Sequence, residues 1–273
     1  MCEFCTKHGD GHVWFKNAAN YARDLMADLE RRRYVADFLK RTMQEGIVTV
    51  GRLETIYQKK RRLPIALSEG FVAAAKVDHF GQVVTIEDVE AIVSKAALVV
   101  RFPCACKWAA SRKESRACYS ISYTADRWFD ALDVSWFGLP QQDGLERVSP
   151  QVALEQMREL GKVGAIHSIW TMKTPFIGAI CNCEPDACLG LRTLLLDMRT
   201  MHPGEAVASI DESRCDGCGC CSSFCHFNAI QSRQLSGEFK ASVHAKTCFG
   251  CGNCRLHCPR NAISMAQRCI ADF

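Results

Sequence analysis

Cys215-Asp216-Gly217-Cys218-Gly219-Cys220-Cys221-Ser222-Ser223-Phe224-Cys225 and Cys248-Phe249-Gly250-Cys251-Gly252-Asn253-Cys254-Arg255-Leu256-His257-Cys258-Pro259 carry one pattern, Cys-x2-Cys-x2-Cys-x3-Cys, at an offset of 33 residues. The correspondence runs outward from the cysteines. Ala208-Ser209-Ile210 repeats as Ala241-Ser242-Val243, and Asn228-Ala229-Ile230 repeats as Asn261-Ala262-Ile263. A repeat that takes in glycines and flanking apolar residues means two copies of one structural unit.

Thiolates three residues apart in a tight loop converge on three irons of a cube. The fourth cysteine opens a helical turn and points toward the companion site. This reading assigns Cys215, Cys218, Cys221 and Cys258 to one 4Fe–4S cluster, and Cys248, Cys251, Cys254 and Cys225 to the other. Gly217, Gly219, Gly250 and Gly252 let the loops take conformations a side chain forbids, and bring backbone N–H groups close to cluster sulfurs. Ile210, Val243, Ile230 and Ile263 are spaced as short strands that wall the clusters from water. A pair of zinc sites is the competing reading, but zinc motifs separate two Cys-x2-Cys pairs by a longer stretch and have no use for a third cysteine in each run. Cys220 offers a shifted register, yet the repeat aligns Cys221 with Cys254. Cys220 and Cys269 read instead as small packed side chains.

This segment resembles the bacterial-type two-cluster ferredoxins. Cys258-Pro259 matches their motif fully, whereas His226 stands where the first copy would carry proline.

The chain holds 18 cysteines in 273 residues. It starts Met1-Cys2-Glu3-Phe4-Cys5, without the apolar core of an export signal, so a cytoplasmic location is expected, and there thiols stay reduced and available to metals. Apolar residues make up 48% and charged residues 23%, which excludes disorder. No apolar run reaches the roughly 18 residues of a membrane span. The net charge of +4 gives no reason to invoke nucleic acid. There is no Gly-x-Gly-x-x-Gly fingerprint and no Walker A sequence, so nothing points to flavin, NAD or ATP.

In the middle of the chain the pattern predicts a helix over 85–100, opened by Thr85 and Asp88, and another from Ser149-Pro150 to about Gly161. A strand is expected over 166–170 and a helix from Pro185 to about Arg199. Around these elements lie Cys104, Cys106, Cys118, Cys181, Cys183 and Cys188. The two Cys-x-Cys pairs each follow an apolar stretch, so two loops can bring four thiolates together, with the helix after Pro185 favouring thiolate near Cys183 and Cys188. Three readings stand: a third iron–sulfur cluster, zinc, or packed structural thiols. Pro103-Cys104-Ala105-Cys106, the helix over 152–160 and Ile180-Cys181-Asn182-Cys183 make residues 85–273 resemble a group of ferredoxin-domain proteins of anaerobic microbes.

Near the N-terminus, Cys2, Cys5, His8 and His12 offer two thiols and two imidazoles, either as a zinc site, as ligands lent to another part of the fold, or as a metal-free segment. A long amphipathic helix is predicted over 17–43, with Ala22, Leu25, Met26, Leu29, Phe38, Leu39 and Met43 on one face. Arg31-Arg32-Arg33 and Lys59-Lys60-Arg61-Arg62 read as a docking surface or as solvated charge.

Together these readings predict an α+β protein. A helical N-terminal region (1–84) and a cysteine-rich α/β middle domain (85–204) precede a two-cluster ferredoxin-like domain (205–273). The expected role is single-electron transfer between a low-potential donor and a partner oxidoreductase, as a subunit of a larger complex. Two alternatives are a catalytic subunit with an open cluster in the middle domain, and a redox-sensing DNA-binding regulator. The absence of a helix-turn-helix signature argues against the second.

Overall fold

A computed structural model describes residues 2–21, 23–235 and 237–269. After α1 (Glu3–His8) the chain runs through short 3-10 turns up to Ala27. The Asp28 carboxylate then accepts the backbone N–H groups of Glu30 and Arg31 and starts α2 (Leu29–Asp37). A five-residue π turn (Phe38–Thr42) leads into α3 (Met43–Lys60), followed by α4 (Ile65–Asp78). The continuous helix expected over 17–43 is therefore interrupted, because Asp28 caps a new start inside it. Met26, Phe38, Leu39 and Met43 are buried as their spacing predicts, but Leu29, in the first turn after the cap, is 66% exposed. Ala22 lies outside the described residues. Arg31 is consumed by the fold: it is buried, and its guanidinium donates to the carbonyls of Leu25 and Met172. Lys59 and Lys60 are exposed in the last turn of α3, where cations complement the helix dipole.

The chain then builds a mixed sheet. β1 (Gly81–Val83) is followed by α5 (Ile86–Val93), whose Thr85–Asp88 capping box forms as predicted. That helix stops at Val93, and β2 (Leu98–Phe102) takes the remainder of the segment expected to be helical. Leu98-Val99-Val100 is apolar enough to suit either period, and its β-branched pair settles as strand. There follow α6 (Ala105–Ser111), β3 (Cys118–Ser122), α7 (Gln141–Gly144), β4 (Glu146–Val148) and α8 (Pro150–Lys162). Ser149 caps α8 by accepting the Val152 N–H. β5 (Ile166–Thr171) and β6 (Ile177–Cys183) complete the centre of the sheet. The helix predicted from Pro185 begins only at Leu189, as α9 (Leu189–Leu194), and β7 (Met201–His202) closes the edge. The order is β4-β2-β3-β6-β5-β1-β7, antiparallel except for β1 and β7.

Alternation along the strands divides the core in two. On one face Ile169, Ile177, Ile180, Tyr119 and Val99 pack with Val89 and Ile92 of α5 and Met157 of α8. Phe4, Trp14 and Phe15 of the N-terminal segment join that same cluster. On the other face Val100, Ile166, Trp170 and Ala179 pack with Val35, Phe38 and Leu39 and with Leu191 of α9. Residue 84 thus follows directly on a strand of the sheet, and segments on both sides of it share both cores.

The C-terminal segment comprises β8 (Ala206–Ile210), α10 (Cys220–Ser223), β9 (Ile230–Leu235), β10 (Glu238–Val243), α11 (Asn253–Leu256) and β11 (Ile263–Gln267). Its two hairpin-like pairs, β8 with β11 and β9 with β10, reproduce the internal repeat: Ile210 faces Ile263 and Val243 faces Ile230. No helix among the described residues is long and apolar enough to cross a membrane.

Candidate metal centres

The two cysteine runs of the C-terminal segment adopt one conformation twice. Gly219 and Gly252, both at positive φ (78° and 82°), open α10 and α11. The N–H of Ala229 donates to Cys225 Sγ and that of Ala262 to Cys258 Sγ, each at 3.3 Å. The N–H of Ala241 reaches Cys215 Sγ at 3.4 Å. Cys221, Cys248 and Cys254 are buried, and Cys218 is exposed. Cys215, Cys218, Cys221 and Cys258 line one small cavity together with Pro259. Cys225 lies instead within electrostatic reach of Cys251 and Cys254. Each run therefore sends its fourth cysteine to the other run's loop. Burial, reinforced by Cys248 and Cys225, pushes the thiols of Cys251 and Cys254 up to about 12. Crowded buried thiols of this kind ionise only when a cation takes the charge, and backbone N–H groups aimed at sulfur suit an anionic cluster. Cys220 and Cys269, expected to be packed, are both exposed. Cys220 opens α10 inside the first run, and Cys269 lies just past the end of β11.

Residues 214–262 match the 4Fe–4S dicluster domain. No curated protein matches the chain. The dicluster domain is fastened to the sheet body by Asn253, whose buried amide donates to Gly164 O at 2.8 Å, and by an Arg255–Glu87 ion pair at 2.5 Å. His226, standing where proline was expected, binds the same Gly164 carbonyl at 3.2 Å. Phe227 and Phe249 stack at 4.2 Å and, with Cys251, pack against the core that contains Cys118, Cys183 and Cys188. The half of the dicluster domain that carries Cys251 is thereby turned toward the middle of the molecule.

There the six cysteines of the middle region meet. Cys118 of β3 stands opposite Cys181 of β6, their sulfurs 3.6 Å apart, and Cys183 shares the Cys181 face by the two-residue period of a strand. Cys104 and Cys106 come from the start of α6, and Cys188 caps α9. Each sulfur lies within side-chain interaction reach of two others, Cys104 of Cys106 and Cys118, Cys181 of Cys118 and Cys183, Cys188 of Cys183 and Cys106, so the six close a ring. Neighbouring thiols Cys106 and Cys118 hold Cys104 well below the ordinary thiol range, and Cys118 and Cys183 bring Cys181 down to about 7. The same thiol neighbours, with burial, push Cys106 and Cys118 up. The sequence aimed the start of α9 at Cys183 and Cys188, but the Leu189 N–H donates to Cys106 Sγ at 3.4 Å, and although the Leu191 N–H favours the Cys188 thiolate, neighbouring thiols and burial push both Cys183 and Cys188 up. All six sulfur residues line a cavity of about 280 Å³ that continues between Tyr34, Phe38, Met43, Phe71 and Trp170. The sequence named all six as candidates and gave only the two Cys-x-Cys pairs a reason to converge; strand register brings Cys118 to the group and the start of α9 brings Cys188.

At the N-terminus, Cys2 and Cys5 are buried with sulfurs 3.5 Å apart. His8 is half-buried and His12 exposed, and neither belongs to their group. The third member is Glu205, which the sequence gave no local reason to single out.

Proposed function

We propose that this protein is a single-electron carrier with three iron–sulfur sites in series: the two quartets of the dicluster domain and the six-sulfur ring of the sheet body. The observation that carries the reading is the ring itself, since six thiols from four separated segments, three of them buried and three half-buried, meet on one apolar cavity, a concentration of ionisable sulfur that suits a cationic centre. When bound, such clusters supply one-electron transfer without making or breaking substrate bonds. The chain's own residues do the rest. Cys215, Cys218, Cys221 and Cys258 serve as one ligand set and Cys248, Cys251, Cys254 and Cys225 as the second, with β8–β11 and β9–β10 excluding water from both. Phe227 and Phe249 fill the space between the second set and the core of the ring. The ring draws its ligands from Cys104, Cys106, Cys118, Cys181, Cys183 and Cys188. Cys218, exposed at the outer set, marks the end where a donor or acceptor protein docks.

Coulometric reduction of anaerobically purified protein tests this reading. One electron per cluster gives about three per chain, with magnetic coupling between neighbours broadening the paramagnetic signals. Uptake of about two electrons, unchanged in a Cys118→Ser, Cys181→Ser double variant, refutes the third site.

One observation favours a second reading, that of a catalytic subunit. The cavity extends past the sulfurs into an aromatic and aliphatic chamber, which suits a small apolar molecule next to the ring. A change in the paramagnetic spectrum on adding such molecules supports catalysis, and an unchanged spectrum leaves the carrier.

A further inference from the structure

Distinct from both sulfur-rich regions in its residues, a third, smaller group is formed by Cys2, Cys5 and Glu205. Cys2 occupies the N-cap of α1 and Cys5 follows within its first turn, so the two sulfurs lie on one side, 3.5 Å apart. Cys5 Sγ donates to Glu205 Oε1 at 3.2 Å. One ligand atom from each of the three residues lies within 4.8 Å of the others, and all three residues are buried. A separate observation points to an absent ligand: Glu205 Oε2 is buried without a hydrogen-bond partner. The carboxylate is also held in place from behind. Gln82 Nε2 donates to Pro203 O at 3.0 Å and to Glu205 Oε1 at 3.4 Å, while Trp14 Nε1 donates to Gln82 Oε1 and fixes which way the amide faces.

We propose that Cys2, Cys5 and Glu205 bind a zinc ion that staples the N-terminal segment to the connection between β7 and β8. Two thiols and a carboxyl group packed together out of water cannot all ionise without a counter-charge, and a divalent cation supplies it by drawing all three into their anionic forms. Two sulfurs and an oxygen exclude calcium and magnesium, which take oxygen shells, and match the mixed ligand sets of tetrahedral zinc. Two sulfurs are also too few for a 4Fe–4S cluster. Gln82 acts on the carboxylate as an orienting partner behind a ligand does. The staple lies next to the dicluster domain. Gly204, one residue before Glu205, donates its N–H to Phe249 O at 2.9 Å. Arg268 grips the carbonyls of Gly204, Ala206 and Cys248. The ion would therefore brace the loop that carries Cys248 and Cys251.

The test is zinc per chain, with zinc-edge X-ray absorption, on full-length protein made in zinc-replete medium and purified without oxygen. About one zinc is expected, with two sulfurs at about 2.3 Å and oxygen or nitrogen at about 2.0–2.2 Å. Glu205→Gln and Cys5→Ser should each lower bound zinc at least tenfold with iron per chain unchanged, and Gln82→Ala should weaken zinc binding about 10–100-fold. Wild-type protein with less than about a tenth of an equivalent of zinc overturns the proposal. So does a four-sulfur zinc spectrum, which would place the ion at the ring, or a Cys2–Cys5 disulfide in the same preparation. If the variants fail to fold, the wild-type absorption spectrum decides alone.

Discussion

Alanine in place of the cluster-loop glycines should divide them into two classes, in the same way in both halves of the repeat. Gly217 (φ +72°) and Gly250 (φ +74°) are pressed against backbone: a Cβ would stand 2.1 Å from Phe239 O and 2.2 Å from Ala206 O. Gly219 (φ +78°) has nothing within 4 Å of that position, and at Gly252 (φ +82°) the nearest atom is 3.8 Å away. Left-handed backbone costs any L side chain about 1–2 kcal/mol, which all four substitutions incur. At Gly219 and Gly252 that is the whole cost, a factor of about 5–30 in the population of an opened loop. At Gly217 and Gly250 a carbon and a carbonyl oxygen that ordinarily stay about 3.3 Å apart must also separate by about 1 Å, and both atoms belong to backbone. The opposing strands cannot yield freely, since Ala241 on β10 donates to Cys215 Sγ and the Ala206 carbonyl is held by Arg268. The assay is iron and acid-labile sulfide per chain, followed by the rate at which a chelator bleaches the visible absorbance. Gly219→Ala and Gly252→Ala should keep full iron and bleach at most about 5–30-fold faster. Gly217→Ala and Gly250→Ala should each be purified about four irons short. If Gly250→Ala holds full iron and bleaches no faster than Gly252→Ala, the close backbone contact does not govern cluster retention.

Three further expectations follow from single side chains. Cys254→Ala should cost about four irons per chain, whereas Cys220→Ala, at an exposed position, should cost none; loss of iron in the Cys220 variant alone would mean the ligand register is shifted by one. Asn253→Ala removes the buried amide that binds Gly164 O and should destabilise the chain by about 1–2 kcal/mol, seen as a drop of a few degrees in Tm at unchanged iron content. The His79 ring packs against Phe38 at 4.7 Å and Trp170 at 4.8 Å, and burial holds its pKa down at about 4. The unfolded chain takes up that proton near pH 6.5, so stability present above this value is lost as the pH falls toward 4. His79→Gln should flatten the fall of Tm over that window relative to wild type, and parallel curves would contradict the assignment.

What the sequence disclosed, and what it withheld, follows how far apart the interacting residues lie. The dicluster domain was legible because each half of its repeat is local: cysteine spacing, glycines and flanking apolar residues such as Ile210 and Ile230 all fall inside one short unit. Caps were legible for the same reason, as Thr85–Asp88 and Ser149 show. The segment over 85–100 was half-read, because Leu98-Val99-Val100 satisfies a helical stripe and a buried strand equally well. The segment over 17–43 was read as one helix because apolar spacing survives the restart at Asp28. The six-sulfur ring needed information no local pattern holds, since Cys118 meets Cys181 through the register of β3 and β6. Glu205 is farther still, 200 residues from Cys5, and an isolated glutamate beside a strand carries no mark of a ligand.

The central claim is that the ring of Cys104, Cys106, Cys118, Cys181, Cys183 and Cys188 holds a cluster in line with the two of the dicluster domain. Iron and acid-labile sulfide per chain, measured on protein purified without oxygen, test it most directly. The account predicts about twelve of each, falling to about eight when Cys118 and Cys181 are both replaced by serine; about eight in the wild type, with no change in the double variant, would contradict it.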